Sequence, residues 1–387
     1  MKVVFLGTIT REQGGVYQYV QTLADSLCRF SKHDIYIVKD STDDLLKDFN
    51  GKSVINVDRS ARGLFVKFKK LLVILLPQLR KYLYTDSFYN KIHDLAPQLV
   101  INPAIMLAPL YLGYPYIVTI HDLQHKYYPN FFSIKERWAR NFIYKKVARN
   151  SALVVCESIA VRDDVVKFLG VSPSKICVIP SPPPLYMTHV HIDPKMISLI
   201  KKKYDLPERF LFYPAQFWPH KNHVGLIQAI KIVENSFGVR LNLVLVGSKK
   251  DYFDDVMREI SKLNLGLQVK YLGYVPQEDM AYLYKMSSAL VLPTFFESLS
   301  IPIWEAFHLG VPVVCSNVCA LPEQVGDAAL LFNPKNIEEM AKQIYHIWED
   351  ETLRRSLIQK GYNKIEGLSS ENYARQWQEI INTAIKG

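Results

Sequence analysis

With 387 residues, 49% of them apolar and 22% charged, the chain has room for two or three domains at roughly 150 residues each, with enough apolar mass to fill their cores. Long disordered stretches are not expected. The longest apolar run, Leu71 to Pro77, is far short of the ~20 residues a membrane-spanning helix needs. The formal net charge of +10 lies entirely in residues 1–185, which hold 25 Lys and Arg against 15 Asp and Glu. An excess confined to one half points to an anionic partner or to a solvated basic face.

The first residues, Met1 to Gly7, enter a polar loop too soon for a signal peptide, so a cytoplasmic location is expected. Five scattered cysteines (Cys28, Cys156, Cys177, Cys315 and Cys319) lack paired spacing. They read as buried free thiols, not as a disulfide framework or zinc site.

Short apolar runs alternate with helical patterns along the chain. In the first half, strands are predicted at Lys2–Gly7, Asp34–Lys39, Ser53–Val57, Gln98–Asn102, Tyr116–Ile120, Ala152–Cys156 and Lys175–Ile179. Helices are predicted at Val16–Phe30, Leu64–Tyr84, Lys135–Asn150 and Ile159–Leu169. The stretch Pro180-Ser181-Pro182-Pro183-Pro184 reads as a linker. Strands then resume at Phe210–Tyr213, Leu241–Val246, Val269–Leu272, Leu290–Leu292, Val313–Cys315 and Ala329–Phe332. Helices fit Val224–Asn235, Asp251–Leu263, Gln277–Met286, Ile301–Leu309, Ile337–Asp350 and Glu371–Ile385. Such βα alternation predicts an α/β protein of two Rossmann-like domains with parallel sheets, facing across a cleft. The expected division is 1–185, 186–369 and a final helix over 370–387.

The most informative stretch is Phe296-Glu297-Ser298-Leu299-Ser300-Ile301-Pro302-Ile303-Trp304-Glu305-Ala306, followed by Gly310-Val311-Pro312. With the short buried strand Ser288-Ala289-Leu290-Val291-Leu292-Pro293 just upstream, it reads as a strand, a loop carrying Glu297 and a short helix carrying Glu305. Ser298 and Ser300 stand where an N-cap belongs, Pro302 fits the first turn and Gly310 the stop. Free N–H groups at a helix start suit a phosphate, and flanking carboxylates suit sugar hydroxyls. Lys221 opens the helix after the first strand of the second half, where a point charge can reach a diphosphate. Gly14-Gly15 opens the first helix after strand one, as an anion-binding turn or a plain one. His121 ends a strand in the first half, in Ile120-His121-Asp122-Leu123-Gln124-His125, and either faces a ligand or caps the strand. No Asp-x-Asp pair occurs to hold a metal-chelated diphosphate, so phosphate binding without metal is expected. Residues 61–84 interleave leucines and phenylalanines with Arg62, Lys67, Lys69, Lys70, Arg80 and Lys81 and contain no acid. A helix there suits an anionic membrane surface, or presents a solvated basic face over an apolar core side. No nucleic-acid-binding motif accompanies the charge.

Taken together these residues resemble the retaining GT-B glycosyltransferases of family 4 over nearly the whole chain, most strongly from Phe210 to Pro334. Glu297 and Glu305 match that family's E-x7-E pattern, and Leu321-Pro322-Glu323-Gln324-Val325-Gly326-Asp327 its next block. The resemblance implies that Glu305 holds ribose, Glu297 the donor sugar's hydroxyls and Lys221 the diphosphate. Amides near Gly15, Ser298, Leu299 and Ser300 would help with the diphosphate. His121 would contact the donor sugar, and Gly273-Tyr274-Val275 would line the base pocket. Two departures stand out: Gln216 occupies a position where that family commonly has Arg, and Ser298 and Ser300 replace glycines.

The reading is a metal-independent, retaining hexosyltransferase that needs no cofactor beyond its substrate. It would move a sugar from a nucleotide donor, GDP-mannose by expectation, to a polysaccharide or lipid-linked acceptor, peripherally on the inner face of the plasma membrane. The alternatives are a nucleotide-sugar hydrolase or epimerase of the same fold, or a non-catalytic nucleotide-sugar or membrane-binding protein.

Overall fold

The computed structural model describes residues 1–8, 14–40, 54–57, 87–188 and 191–386. The predicted helix over Leu64–Tyr84, with Lys67, Lys69 and Lys70, lies outside the described residues. The chain divides into two compact units: Met1–Pro182 together with Leu368–Gly387, and Pro183–Gly367.

The first unit contains β1 (Lys2–Leu6), α1 (Gly15–Phe30), β2 (Asp34–Asp40), β3 (Val54–Val57), α2 (Ser87–Leu95), β4 (Leu99–Asn102), α3 (Ala108–Leu112), β5 (Tyr116–Thr119), α4 (Gln124–Tyr127), α5 (Ile134–Asn150), β6 (Leu153–Cys156), α6 (Ile159–Asp164) and β7 (Ile176–Val178). All its strand pairs are parallel, in the order β3-β2-β1-β4-β5-β6-β7. Alternate residues serve opposite faces, as a strand's two-residue period requires. Val3 and Phe5 of β1 join Leu23 and Leu27 of α1 on one side. Val4 and Leu6 join Ile92 and Val147 on the other. Both faces are therefore dry, which is why these strands read as continuous apolar runs.

The second unit contains α7 (Leu185–Thr188), α8 (Pro194–Lys203), β8 (Leu211–Pro214), α9 (His223–Phe237), β9 (Leu243–Val246), α10 (Phe253–Lys262), β10 (Val269–Tyr271), α11 (Gln277–Met286), β11 (Ala289–Leu292), α12 (Ile301–Leu309), β12 (Val313–Ser316), α13 (Leu321–Val325), β13 (Ala329–Phe332), α14 (Ile337–Glu349) and α15 (Glu351–Ile365). Its sheet is also wholly parallel, in the order β10-β9-β8-β11-β12-β13. In each unit the strand order reverses once, at β1/β4 and at β8/β11, and ligands of such sheets bind at the carboxyl ends beside that point.

The last helix, α16 (Ser370–Lys386), belongs to the first unit. Tyr373, Trp377 and Ile381 recur at four-residue intervals and enter the core with Leu23 and Leu27 of α1. Gln378 fastens the same helix to the end of α1, accepting from the Ser31 hydroxyl (3.1 Å) and the Lys32 amide (2.9 Å). Trp377 is fully buried, so Trp377→Ala should destabilise the first unit by about 3–5 kcal/mol. Differential scanning calorimetry should show a transition lowered by several degrees.

Candidate active site

In the second unit, the chain leaving β8 makes a loop, a single turn at Pro219–Lys221, and then α9. Two features fix this loop. Gly247, just past β9, has φ +152°, and a Cβ there would stand 2.2 Å from the Ala215 carbonyl oxygen. Only glycine permits so close an approach. Asn222, in the left-handed region at φ 54°, caps α9 by accepting from the Gly225 amide at 3.2 Å. Its side-chain N–H groups donate to the carbonyls of Pro293 (2.9 Å) and Pro334 (3.2 Å). One buried side chain thus ties the loops after β8, β11 and β13 together. Thr294 adds a second tie, its hydroxyl donating to the His220 carbonyl at 3.0 Å.

This stitching sets Lys221 against Glu297, with Nζ to Oε2 at 2.6 Å. Both are mostly buried, which strengthens the attraction relative to a surface pair. Burial, helped by the neighbouring Lys221 charge, pushes His220 down to about 3, so it is neutral and Lys221 is the charge of this turn. Gln216 accepts from the Trp218 indole N–H at 2.9 Å, and the Lys250 ammonium stands 5.3 Å from the centre of that indole ring.

The first turn of α12 is built differently from the capped start the sequence suggests. Ser300 is the N-cap residue, but its hydroxyl makes no cap bond and is buried without a partner. Gln324 of α13 takes both backbone groups instead. Its carbonyl oxygen accepts from the Ser300 amide and its N–H donates to the Ser300 carbonyl, both at 2.8 Å. The Ser300 amide is therefore not available to an anion. Among the described residues, no backbone hydrogen bond engages the amides of Ser298 and Leu299. Pro302 and Gly310, at φ 68°, open and close α12 as expected.

Glu305 lies on the buried side of α12. Tyr186 of α7 donates to Oε1 and Tyr284 of α11 to Oε2. Burial raises its carboxyl above the ordinary range, and the two tyrosine hydroxyls oppose that shift. The residue expected to meet ribose thus already receives two protein donors, though a carboxylate has about four acceptor positions in all. Tyr274 stands 74% exposed past β10, whereas Val275 turns into the core. Of that pair only Tyr274 offers a face to a ligand.

In the first unit, Gly14 is the N-cap of α1 at φ 56°, ψ −117°, a conformation for glycine alone, and Gly15 begins the helix. His121, past β5, has both ring nitrogens engaged. Nδ1 lies 3.0 Å from Glu157 Oε2, and Nε2 lies 2.9 Å from the Pro103 carbonyl oxygen. Glu157 also accepts from the Ser181 hydroxyl at 2.7 Å. A free His121 edge toward a sugar, as expected from the sequence, is not what these contacts provide. His125 meets Asn141 Oδ1 at 3.0 Å, so the two histidines serve different partners.

Asn222, Gln324, Tyr186 and Glu157 were not anticipated from sequence. Each acts through a partner 24 or more residues away, except for the Asn222 cap. The capping geometry of an Asn before a helix is the one signal that could have marked Asn222.

Two all-parallel, helix-covered sheets, with a Lys–Glu pair at the switch point of the second, define a protein of the GT-B class. The family described as "Glycosyl transferases group 1" matches residues 197–364, and "Glycosyltransferase Family 4" matches residues 13–182. Between them these cover more than four fifths of the chain, which belongs to this glycosyltransferase family. The chain is 35% identical over 181 residues to O-antigen chain mannosyltransferase B of Escherichia coli, covering 46% of this chain and 47% of that one. It is 28% identical over 237 residues to O-antigen chain mannosyltransferase RfbU of Salmonella typhimurium, covering 59% and 62%. These matches span about half to three fifths of the relatives' own length. Among solved structures, Anabaena Alr3699/HepE in complex with UDP and glucose aligns with a TM-score of 0.78 at 18% identity, over 99% of this chain and all of that one.

Asn222→Ala removes the cap, leaves two buried carbonyls short of a donor and places alanine at positive φ. It should cost the second unit about 1–3 kcal/mol, read as a lowered urea midpoint.

Proposed function

We propose that the chain transfers mannose from a nucleotide-diphosphate donor, GDP-mannose, to a growing surface-glycan acceptor of the O-antigen kind, with retention of anomeric configuration. The names of the two mannosyltransferase relatives support the sugar and the acceptor class. The observation that carries the chemistry is the Lys221–Glu297 pair at the carboxyl ends of β8 and β11.

Cleaving a sugar–phosphate bond builds negative charge on the departing diphosphate and positive character on the sugar ring. Lys221, held in place by the Asn222 and Thr294 ties, supplies a preorganised cation for the first. The amides of Ser298 and Leu299 add dipoles at the same loop. Glu297 steadies Lys221 and presents acceptor oxygens to sugar hydroxyls. Attack on the face the diphosphate leaves lets that phosphate take the acceptor's proton, so no protein base is required. With Lys221 as counter-charge, the reaction runs without a divalent metal.

Lys221→Ala should lower kcat by roughly a hundredfold or more, the usual loss for removing one such group. Incubation with nucleotide sugars, with and without a lipid-linked acceptor, tests the assignment. Acceptor-dependent nucleotide release that persists in EDTA and yields a retained anomer is expected. Release of free sugar without acceptor, an inverted product or full activity in Lys221→Ala would overturn it.

We further propose that the first unit works against an anionic bilayer surface. No helix among the described residues is long and apolar enough to cross a membrane. On α5, however, Ile134 (67% exposed), Trp138 (75%) and Phe142 (49%) follow one another at four-residue steps, with Tyr127 and Phe131 also exposed nearby in sequence. Residues 124–150 carry seven Lys and Arg against a single acid, Glu136. Aromatic side chains flanked by basic ones suit the headgroup region of an anionic leaflet. Trp138→Ala combined with Phe142→Ala should weaken sedimentation with phosphatidylglycerol vesicles by roughly tenfold or more. Raising the salt should weaken it further. Binding indifferent to both changes would overturn this surface.

A further inference from the structure

His121 is packed so that each ring nitrogen meets an acceptor. Nε2 faces the Pro103 carbonyl oxygen at 2.9 Å, and a carbonyl can only accept. Nδ1 faces the Glu157 carboxylate at 3.0 Å, whose other oxygen is engaged by the Ser181 hydroxyl at 2.7 Å. A neutral imidazole has one N–H and cannot satisfy two acceptors, whereas an imidazolium can. The groups around the ring fit the charged form. Asp122, on the same loop, contributes negative charge, and Tyr19 of α1 sets its ring edge-on at 4.6 Å. The Tyr19 hydroxyl pairs with Thr119 at 2.9 Å, and Tyr373 of α16 lies behind it. Burial holds both tyrosines in their neutral form, so neither competes for the proton.

We propose that Glu157 is a positioning residue that, with the Pro103 carbonyl, keeps His121 as an imidazolium, a fixed positive charge at the carboxyl end of β5. Ser181 completes the carboxylate's hydrogen bonding. The resulting chain, Pro103–His121–Glu157–Ser181, crosses the carboxyl ends of β4, β5, β6 and β7. It locks the ring by bonds to two separate loops, one of which Ser181 ties to a third. Burial alone would lower the His121 value, but the bond and charge of Glu157, the Pro103 carbonyl and Asp122 together raise it. The inference rests on the transferase reading only for its purpose. A locked cation at these strand ends suits an anionic ligand, and a ring with both nitrogens protonated cannot serve as the base. Because folding raises the His121 value, its contribution to stability is full below the ordinary histidine range and is lost as pH rises through the folded value.

The test is ring-nitrogen NMR of the full chain labelled at histidine, with His121 assigned by loss of its signals in His121→Asn. Both His121 nitrogens should show protonated shifts at neutral pH. In Glu157→Gln its titration should fall by about one pH unit or more, since burial is then less opposed. In turnover assays Glu157→Gln should gain an activity loss on the alkaline side that tracks this titration, with KM for acceptor unmoved and Glu157→Asp restoring part of the wild-type profile. An unprotonated His121 nitrogen in the wild type at neutral pH would overturn the proposal, even if Glu157→Gln proves unable to fold. So would a titration unmoved by Glu157→Gln. The NMR readout needs no substrate, so its outcome is separate from whether the chain transfers mannose.

Discussion

Reversal of strand order inside an all-parallel sheet is the constraint on which the rest of this structure depends. At β8/β11 the two neighbouring connections leave in opposite directions, so no helix seals the carboxyl ends between them. The backbone there must find partners other than the sheet. It finds them in side chains: Asn222 and Thr294 bind loop carbonyls, and Gln324 takes the amide and carbonyl of Ser300. Lys221 and Glu297 sit on loops already held by these bonds. Their separation is a consequence of the stitching, which gives the site its preorganisation.

The first unit holds its strand-end loops with a different set of groups. Its strand ends are bridged by a line of ionisable and hydroxyl groups centred on His121. The second unit's ties are side-chain amides and a hydroxyl on backbone groups, whereas the first unit's bridge is built around a His–Glu pair. Neutral ties fix geometry at little electrostatic cost, whereas a buried pair needs every lone pair satisfied to remain stable. The Ser181 hydroxyl and the Pro103 carbonyl meet that need.

Much of the architecture was legible in sequence because both sheets are buried on both faces. Runs such as Leu290–Leu292 and Val313–Cys315 have no other reading once Gly and Pro bound them. Shorter or weakly patterned helices were missed, among them Pro194–Lys203 and Glu351–Ile365. The latter is only weakly amphipathic and buries little beyond Leu357 and Gly361. Lys221, Glu297 and Glu305 lie on the turn, loop and helix expected of them, because their neighbours in sequence form a recognisable strand-loop-helix frame. Glu157 and Gln324 were not assigned a role, because nothing local distinguishes a carboxylate or amide that will meet a loop from another strand. Ser300 misled for the same reason. Its position was right for a cap, but its hydroxyl makes no bond, and Gln324 of α13 holds its backbone amide and carbonyl.

The two tyrosines on Glu305 set the terms on which a hydroxyl-bearing ligand could take that carboxylate. A phenol held on the same chain is present at high effective concentration and is never diluted away. Affinity at that carboxylate is then a difference between two hydrogen-bonding partners, not the strength of either. A ligand that supplies a single weakly placed hydroxyl gains little by displacing Tyr186, whereas one offering two adjacent hydroxyls in the right geometry gains much more. Selectivity for a vicinal diol can arise in this way without any residue that rejects the alternatives.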